Sequence, residues 1–307
     1  MISARLRKAT PCSLLNINGG RYRQVFLALG AVLLVVITCG FVASKALAAE
    51  MQKTESADLE LNRIHELYQQ LLDTYTYIDT KNTLPLRVVD YASLRSDDRL
   101  DELSQLFEQY PKPRLQTREQ KIAFYLNAYN VLAIQMVVDN WPLKRLRSLG
   151  SFVRPVWTHP AGKVCSEAMT LRKLEHKILR QLGDARIHFA LNCASVSCPD
   201  LRGEPYVAER LDEQLTEQTR LFLSQTGKGM AVTNNGLLLS PIFDWFEEDF
   251  EVHGGVLVFL KRYLPNTLSA DNNWEIAGYF RYDWDVNAHL TGGELSRIRR
   301  GSVTWFD

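Results

Sequence analysis

The chain has 307 residues, 46% of them hydrophobic and 23% charged, which is the composition of a folded protein with a substantial core. Its formal net charge of +1 is unevenly distributed, because residues 1–48 contain six bases and no acid and residues 49–307 therefore carry a net charge of −5. A mildly acidic body of this kind argues against nucleic acid as the main partner.

An apolar segment lies close to the N-terminus. Residues 25–43 contain no charge and are long enough, as a helix, to cross a hydrocarbon core of about 30 Å. Arg21 and Arg23 precede them, an arrangement that leaves the N-terminus in the cytoplasm and exports the rest. Residues 46–49 (ALAA) have the small-x-small pattern of a signal-peptidase site. The apolar segment is therefore either a transmembrane signal anchor or a cleaved signal peptide. Either way, we expect membrane contact through this segment and residues 50–307 in the periplasm.

Helices dominate the elements that the pattern predicts. Apolar residues at spacings of three and four predict helices, whereas alternation of apolar and polar residues predicts strands. We therefore expect an α+β fold that is mainly helical, in a single domain with a small sheet. In chain order, the predicted elements are helices over 59–75, 91–110 and 118–140, a hairpin or loop within 155–168, a helix over 171–182, a strand over 186–192, a helix over 206–225, a strand over 237–239, and helices over 241–250 and 256–264.

The helix over 118–140 has the strongest pattern. Thr117 and Gln120 have the spacing of a capping box at its start. Because it is apolar on nearly every side, we expect it at the centre of the fold. Asn127 and Asn130 then lie on one face inside the protein, where they either tie down a loop or contribute to a pocket.

Residues 186–199 combine a strand pattern with a loop of small residues and two cysteines. On the predicted strand, His188 and Asn192 share one face. Cys193 and Cys198 follow, and an exported chain allows them to form a disulfide. Two interpretations are open: a reactive site, or a polar core strand closed by a disulfide. Strand geometry makes Cys193 and His188 poor direct partners, because five extended residues separate them by about 16 Å on opposite faces.

Five motifs stand out along the chain: FYLNAYN at 124–130, residues 171–180, HFALNCAS at 188–195, residues 240–250 and YDWDVN at 282–287. Their residues and their order resemble the DUF547 family. That family is named for having no assigned function, and it occurs in bacteria, often with a signal sequence, and in plants and animals beside other domains. The resemblance therefore implies the kind of domain and leaves its activity open.

The resemblance and the N-terminal pattern together predict the domain organisation. The DUF547-like domain is expected to cover residues 85–290. The predicted parts of the chain are a basic cytoplasmic leader (1–24), the transmembrane anchor or signal peptide (25–48), a tether with a first helix (49–84), the DUF547-like domain (85–290) and a C-terminal tail (291–307).

Two functional hypotheses follow. The preferred one is a binding or scaffold domain of the cell envelope, acting on an unknown envelope partner or a small molecule. The alternative is a thiol-dependent hydrolase or acyl-transfer enzyme, which requires a cysteine and a histidine base within roughly 4 Å beside an accessible cavity. The candidate catalytic residues are Cys193, Cys198, His188 and Asn192, and the candidate binding residues are Asn127, Asn130, Glu175 and His176.

Three further expectations concern the chemistry of these residues. Because Glu175 and His176 are consecutive on a helix, we expect only one of them to face a given pocket. No paired His-x3-His motif accompanies Cys193 and Cys198, so we expect no metal or cofactor. The acid-rich segment 244–250 is expected to form an outer, solvent-facing helix surface, with Asp244 or Trp245 at a pocket rim as the alternative.

Overall fold

The structure is a computed structural model that describes Lys45 and residues 58–81, 84–264 and 274–289. The chain divides into two compact units, Met1–Ser56 and Ala57–Asp307. The predicted anchor segment 25–43 and the predicted tail 291–307 lie outside the described residues. The described helices and strands from residue 58 onward belong to the second unit.

Helices and one antiparallel ribbon form the first part of this unit. In the ribbon, Thr76 lies opposite Val89. The single helix predicted over 91–110 is interrupted, because Asp97 accepts hydrogen bonds from the backbone and side chain of Arg99 and so starts a new helix there. The elements are α1 (58–75), β1 (Thr76–Lys81), β2 (Leu84–Val89), α2 (Tyr91–Leu94), α3 (Arg99–Gln109) and α4 (Arg118–Asp139).

The central position of α4 is confirmed. Its capping box forms, with the Thr117 hydroxyl accepting from the Gln120 amide at 3.1 Å and the Gln120 side chain accepting from the Thr117 amide at 3.0 Å. Of the helices described, α4 is long and apolar enough to cross a membrane, but most of its length is buried within the protein. It is therefore the core helix of this unit, around which the larger hydrophobic cluster packs.

A hairpin and an irregular helix follow α4. The hairpin lies where one was expected, but its turn is at Cys165 and Ser166, which adopt φ of 51° and 63°, and not at 161–162. The next helix begins at residue 171, as predicted, and is capped by Thr170, whose hydroxyl accepts from the Lys173 amide at 3.0 Å. The elements are 3₁₀ turns at Leu146–Leu149 and Val156–Thr158, β3 (Gly162–Val164), β4 (Glu167–Met169), and α5 (Leu171–Lys173), which continues as a π-helical stretch (Leu174–Leu179) and a 3₁₀ turn (Arg180–Leu182).

The strand predicted over 186–192 is wrong. Ala185–Phe189 is a 3₁₀ helix, started by Asp184, whose carboxylate accepts from the Arg186 amide at 3.1 Å. The alternation that suggested a strand has no structural meaning here, because Ile187, His188 and the residues that follow to 192 are buried on both sides. No strand pairs with this segment among the described residues.

The last part of the unit forms a second, smaller core. Phenylalanines at 189, 243, 250 and 259 pack together at its centre. The described residues contain three small sheets where one was expected, and in the last of them β6 pairs antiparallel with β5 and parallel with β7. The elements are a 3₁₀ turn (Ala208–Arg210), α6 (Leu211–Ser224), β5 (Met230–Thr233), β6 (Gly236–Leu239), α7 (Ile242–Trp245), α8 (Glu247–Glu251), α9 (Val256–Tyr263) and β7 (Ile276–Tyr279).

Candidate functional site

A cavity of about 230 Å³ lies between α5, the segment 188–199 and α7. We call it the aromatic cavity, since rings form much of its wall. Its volume is slightly below the range usual for drug-sized ligands, so it suits a small molecule. The residues that line it are Tyr129, Pro155, Trp157, Thr158, Arg172, Glu175, His176, His188, Leu191, Cys193, Cys198, Pro199, Ile242, Trp245, Phe246, Tyr282 and Trp284.

Five of the eight predicted site residues line this cavity: Glu175, His176, His188, Cys193 and Cys198. They come from segments that are separate in sequence, so the fold brings together candidates that the chain pattern only suggested. The three asparagines do not line it.

Asn127 and Asn130 clamp the backbone of other segments onto α4. The Asn127 side chain donates to the Tyr206 carbonyl at 2.8 Å and accepts from the Tyr206 amide at 2.9 Å. Asn130 donates to the Ala190 carbonyl at 3.0 Å and accepts from the Asn192 amide at 2.9 Å. Both are fully satisfied by buried backbone, which is the structural alternative open from the sequence.

Asn192 binds the backbone of the loop between Cys193 and Cys198 in the same way. Its side chain donates to the Pro199 carbonyl at 2.7 Å and accepts from the Ala194 amide at 2.9 Å. It therefore holds the loop between Cys193 and Cys198 at both ends, and its catalytic role stays a prediction.

Glu175 and His176 both line the cavity, so the expectation that only one of them would do so is wrong. The reason is local backbone geometry. They lie in the π-helical stretch Leu174–Leu179, whose wider turn rotates consecutive side chains by a smaller angle than an α-helix does. Such stretches are frequent at functional sites because they redirect side chains in this way.

The carboxyl of Glu175 is buried within the cavity wall. Burial raises its pKa from 4.5 to about 7, with Arg180 opposing that rise and Asp249 adding to it. Its Oε1 lies 3.9 Å from Nδ1 of His188, a separation too long for a hydrogen bond. Near neutral pH the group is therefore divided between a neutral carboxylic acid, which can donate a hydrogen bond, and a carboxylate.

His188 is held by Asp249 at the inner end of the cavity. Its Nε2 lies 2.7 Å from Oδ2 of Asp249, and Arg180 binds both oxygens of the same carboxylate at 2.6 and 2.8 Å. Burial alone would raise the pKa of Asp249, but the hydrogen bonds from His188 and Arg180 outweigh it and hold that pKa well below its usual range. Burial lowers the pKa of His188 against the influence of Asp249.

The pairing with an ionised Asp249 assigns the proton of neutral His188 to Nε2. Nδ1 then carries a lone pair, and it has no hydrogen-bond partner in the described structure although it is buried. The ring is fixed in orientation by Phe246, which stacks on it with centroids 4.0 Å apart. Histidine, aspartate and arginine thus form a fixed array with an unused acceptor next to Glu175.

Cys193 and Cys198 are joined by a disulfide, which is one of the two outcomes open from the sequence. Tyr282 places its hydroxyl 3.1 Å from the sulfur of Cys198, and the buried Lys228 donates to the Cys198 carbonyl at 2.9 Å. Within the described structure, His188 forms no hydrogen bond to either sulfur. The direct cysteine–histidine pair that a resting thiol enzyme requires is therefore not formed in this state.

Tryptophans and a tyrosine form the outer wall. Tyr282 packs against Trp284 and Trp245 with centroids 4.3 and 4.9 Å apart, and Trp157 lies 6.2 Å from Trp284. Trp245 is 47% exposed, so it stands at the rim, as the alternative for the acid-rich segment predicted. This wall supplies broad apolar surface for a ligand ring.

Asp249 contacts His188 but is not among the site residues predicted from the sequence. It was assigned to a charged outer face, and that assignment is correct for Asp244, Glu247 and Glu248, which are exposed. Asp249, however, turns inward to His188. A signal was present: Asp249 lies three residues after Phe246 and next to Phe250, so it belongs to the apolar side of this helical segment.

A larger groove, of about 1060 Å³, lies elsewhere and contains none of the predicted site residues. It is open and lined by charged side chains such as Arg87 and Asp200. Among the described residues, no group of three or more His, Cys, Asp or Glu side chains is arranged to hold a metal ion.

Part of the chain matches a known protein family. The family model described as "Protein of unknown function, DUF547" matches residues 113–223, about a third of the chain. The match includes the motifs at 124–130, 171–180 and 188–195, while those at 240–250 and 282–287 lie beyond it. No curated protein and no solved structure matches the chain.

Proposed function

The chain contains a DUF547 domain over residues 113–223, and we propose that this domain, with the segments packed on it, binds a small organic molecule in the aromatic cavity. One observation carries the proposal: a cavity walled by aromatic rings has Glu175 and a fixed His188–Asp249 pair at its inner surface. Convergent polar groups in an otherwise apolar pocket are typical of ligand sites.

The chemistry of the wall indicates the class of ligand. Tryptophan, tyrosine and phenylalanine rings fit a flat or apolar body. Glu175, with a pKa raised to about 7, accepts or donates one hydrogen bond at neutral pH. An aromatic alcohol satisfies both requirements, whereas an aromatic carboxylate would place a second negative group beside Glu175.

Saturation-transfer NMR with 2-phenylethanol tests this proposal. We expect transfer to the probe from the native protein and loss of that transfer in Leu191→Trp, which fills the cavity from its wall. Val232→Trp adds the same side chain at a position that is 55% exposed on β5, and it should bind as the native protein does. Equal transfer in all three proteins would show that the probe binds elsewhere, and no transfer in the native protein would contradict the proposal.

A thiol-dependent hydrolase is the second candidate function. The observation that favours it is that both cysteines share the cavity with a histidine held by an aspartate. Because the two sulfurs are bonded, an external dithiol must first reduce them, giving two thiols and becoming a disulfide itself. One thiolate would then serve as nucleophile, with His188 accepting the thiol proton.

The rate of iodoacetamide alkylation against pH, after reduction, tests this candidate. A nucleophile activated by His188 would react with an apparent pKa well below that of an ordinary thiol, about 8.5, and His188→Gln would remove the difference. If both thiols titrate at or above the ordinary value, the enzyme candidate is contradicted and binding alone remains.

We also propose that the domain works in the periplasm, held at the inner membrane by residues 25–43 or released by cleavage. The apolar segment and its flanking bases support this, and so does the Cys193–Cys198 disulfide, since disulfides persist in oxidising compartments. Alkaline phosphatase fused after residue 307 should be active in cells, and green fluorescent protein at the same site should be dark. The reverse result would contradict export, and the intact mass shows whether the leader is cleaved.

A further inference from the structure

Two large apolar side chains stand fully in solvent beside the aromatic cavity. Phe152 is 102% exposed and Val153 is 92% exposed, more than any other large hydrophobic side chain in the part of the chain that the structure describes. Burial of either side chain would be favourable, so a folded loop that presents both to water forgoes a considerable stabilisation. Adjacent exposed apolar residues of this kind mark an interaction surface.

The loop that carries them, residues 150–156, is closed and ordered by its own contacts. The Ser151 amide donates to the Arg154 carbonyl at 2.9 Å, and the Arg154 amide donates back to the Ser151 hydroxyl at 3.0 Å. At the base, Gly150 approaches the backbone of Val156 so closely that a Cβ there would collide with the Val156 nitrogen. The two apolar residues are therefore held at the tip of a defined turn.

The surroundings of this tip are basic. From residue 140 to residue 166 the chain has no aspartate or glutamate. Within the described chain Arg145 pairs with Asp285 and Lys163 pairs with Glu108, but neither Lys144 nor Arg154 forms an ion pair. The exposed bases of this stretch are Lys144, Arg145, Arg147, Arg154 and Lys163.

Aromatic residues that suit a membrane interface lie next to the tip. Trp157 lies shortly after the tip in sequence, and it lines the cavity together with Pro155. The guanidinium of Arg147 lies 4.9 Å above the ring of a second tryptophan, Trp284. Tryptophans are enriched at the level of lipid headgroups, where their rings meet both apolar and polar surroundings. The tip, the bases and the tryptophans thus occupy neighbouring positions.

We propose that the 150–156 loop docks on an anionic membrane surface, with Phe152 and Val153 inserted at the headgroup–acyl boundary and Lys144 and Arg154 against lipid phosphates. The apolar tip contributes buried apolar surface, and the bases contribute electrostatic attraction to the anionic surface. This contact is independent of residues 25–43, and it places the mouth of the aromatic cavity towards the bilayer.

Quenching of an added tryptophan by brominated lipid tails tests the proposal in the full chain. Phe152→Trp, reconstituted in vesicles of brominated phosphatidylcholine with phosphatidylglycerol, should lose more emission than the native chain does, and its spectrum should shift to the blue. Val232→Trp, an exposed position on β5, is the matched control for proximity to vesicles and should show no such added loss. In vesicles without phosphatidylglycerol, or with Arg154→Glu added, the quenching of Phe152→Trp should fall.

Three results would overturn this inference. Equal added quenching in Phe152→Trp and Val232→Trp would show only general proximity to lipid. No added quenching at 152 in anionic vesicles would show that the tip stays in water or contacts a protein. Quenching that is unchanged without anionic lipid would remove the role of the bases.

Discussion

Replacing Glu175 by glutamine is expected to change how the stability of the domain depends on pH. In the folded protein the pKa of this carboxyl is raised from 4.5 to about 7, chiefly by burial. Between these two pH values the folded state binds the proton more tightly than the unfolded state does. The contribution of Glu175 to the free energy of unfolding is therefore fully present below about pH 4.5 and is lost as the pH rises to about 7.

The structure sets the size of this effect. One pKa unit corresponds to about 1.4 kcal/mol, so the rise in the Glu175 pKa is equivalent to roughly 3 kcal/mol. This is an upper limit, because 17% of the side chain is exposed and water reaches part of it. Glutamine has nearly the same shape and no titration, so Glu175→Gln should equal the native protein at acid pH and exceed it by up to that amount at about pH 8.

Urea unfolding followed by tryptophan fluorescence, at about pH 4.5 and about pH 8, measures the difference between Glu175→Gln and the native protein. Titrations of other groups cancel in this difference, and a new hydrogen bond from glutamine would add equally at both pH values. Glu248→Gln, at a side chain that is 92% exposed, is the control and should show no pH-dependent difference. If the difference for Glu175→Gln is the same at both pH values, the conclusion that burial disfavours the ionised Glu175 carboxyl in the folded protein is refuted.

Three other substitutions test the architecture around the cavity. Asn127→Ala should lower the free energy of unfolding by about 3 kcal/mol in urea titrations, because it leaves a buried backbone donor and acceptor unpaired; a loss below about 1 kcal/mol would contradict the clamp. Gly150→Ala should open the 150–156 loop, since its Cβ collides with the Val156 nitrogen, and proteolysis should cut it faster there; unchanged cleavage would contradict the tight base. Cys193→Ser with Cys198→Ser should cost about 2 kcal/mol of stability, as expected for closing so short a loop; thermal unfolding at the native midpoint would count against the disulfide.

The sequence predicted elements whose signals are local. The helix α4 was identified correctly because Thr117 and Gln120 cap it and because its own residues are apolar on nearly every side. The helices α6 and α9 were identified by their spacing in the same way. Each of these signals lies within the element itself, so no knowledge of distant partners was needed.

The segment 186–192 was mispredicted because its conformation depends on distant residues. Its alternation of apolar and polar residues reads as a strand, yet the backbone finds no neighbouring strand among the described residues and bonds instead to the side chain of Asn130 on α4. When a distant side chain such as Asn130 takes the place of a neighbouring strand, the alternation of apolar and polar residues in the segment does not reveal it.

The site shows the same division between local and distant information. Cysteines, His188, Glu175 and His176 were identified from residue type, and the fold does bring them to one cavity. Asp249 was missed because its partners, Arg180 and His188, lie more than sixty residues away in sequence. Glu175 and His176 both line the cavity because of the π-helical turn, and regular α-helical spacing does not predict such a turn.

A crystal structure of the protein soaked with 2-phenylethanol is the most direct test of ligand binding in the aromatic cavity. We predict density for the probe between the tryptophan wall and Phe246, with its hydroxyl within hydrogen-bond distance of Glu175. Density for the probe only in the open groove near Arg87, or only water in a cavity that the probe can reach, would contradict it.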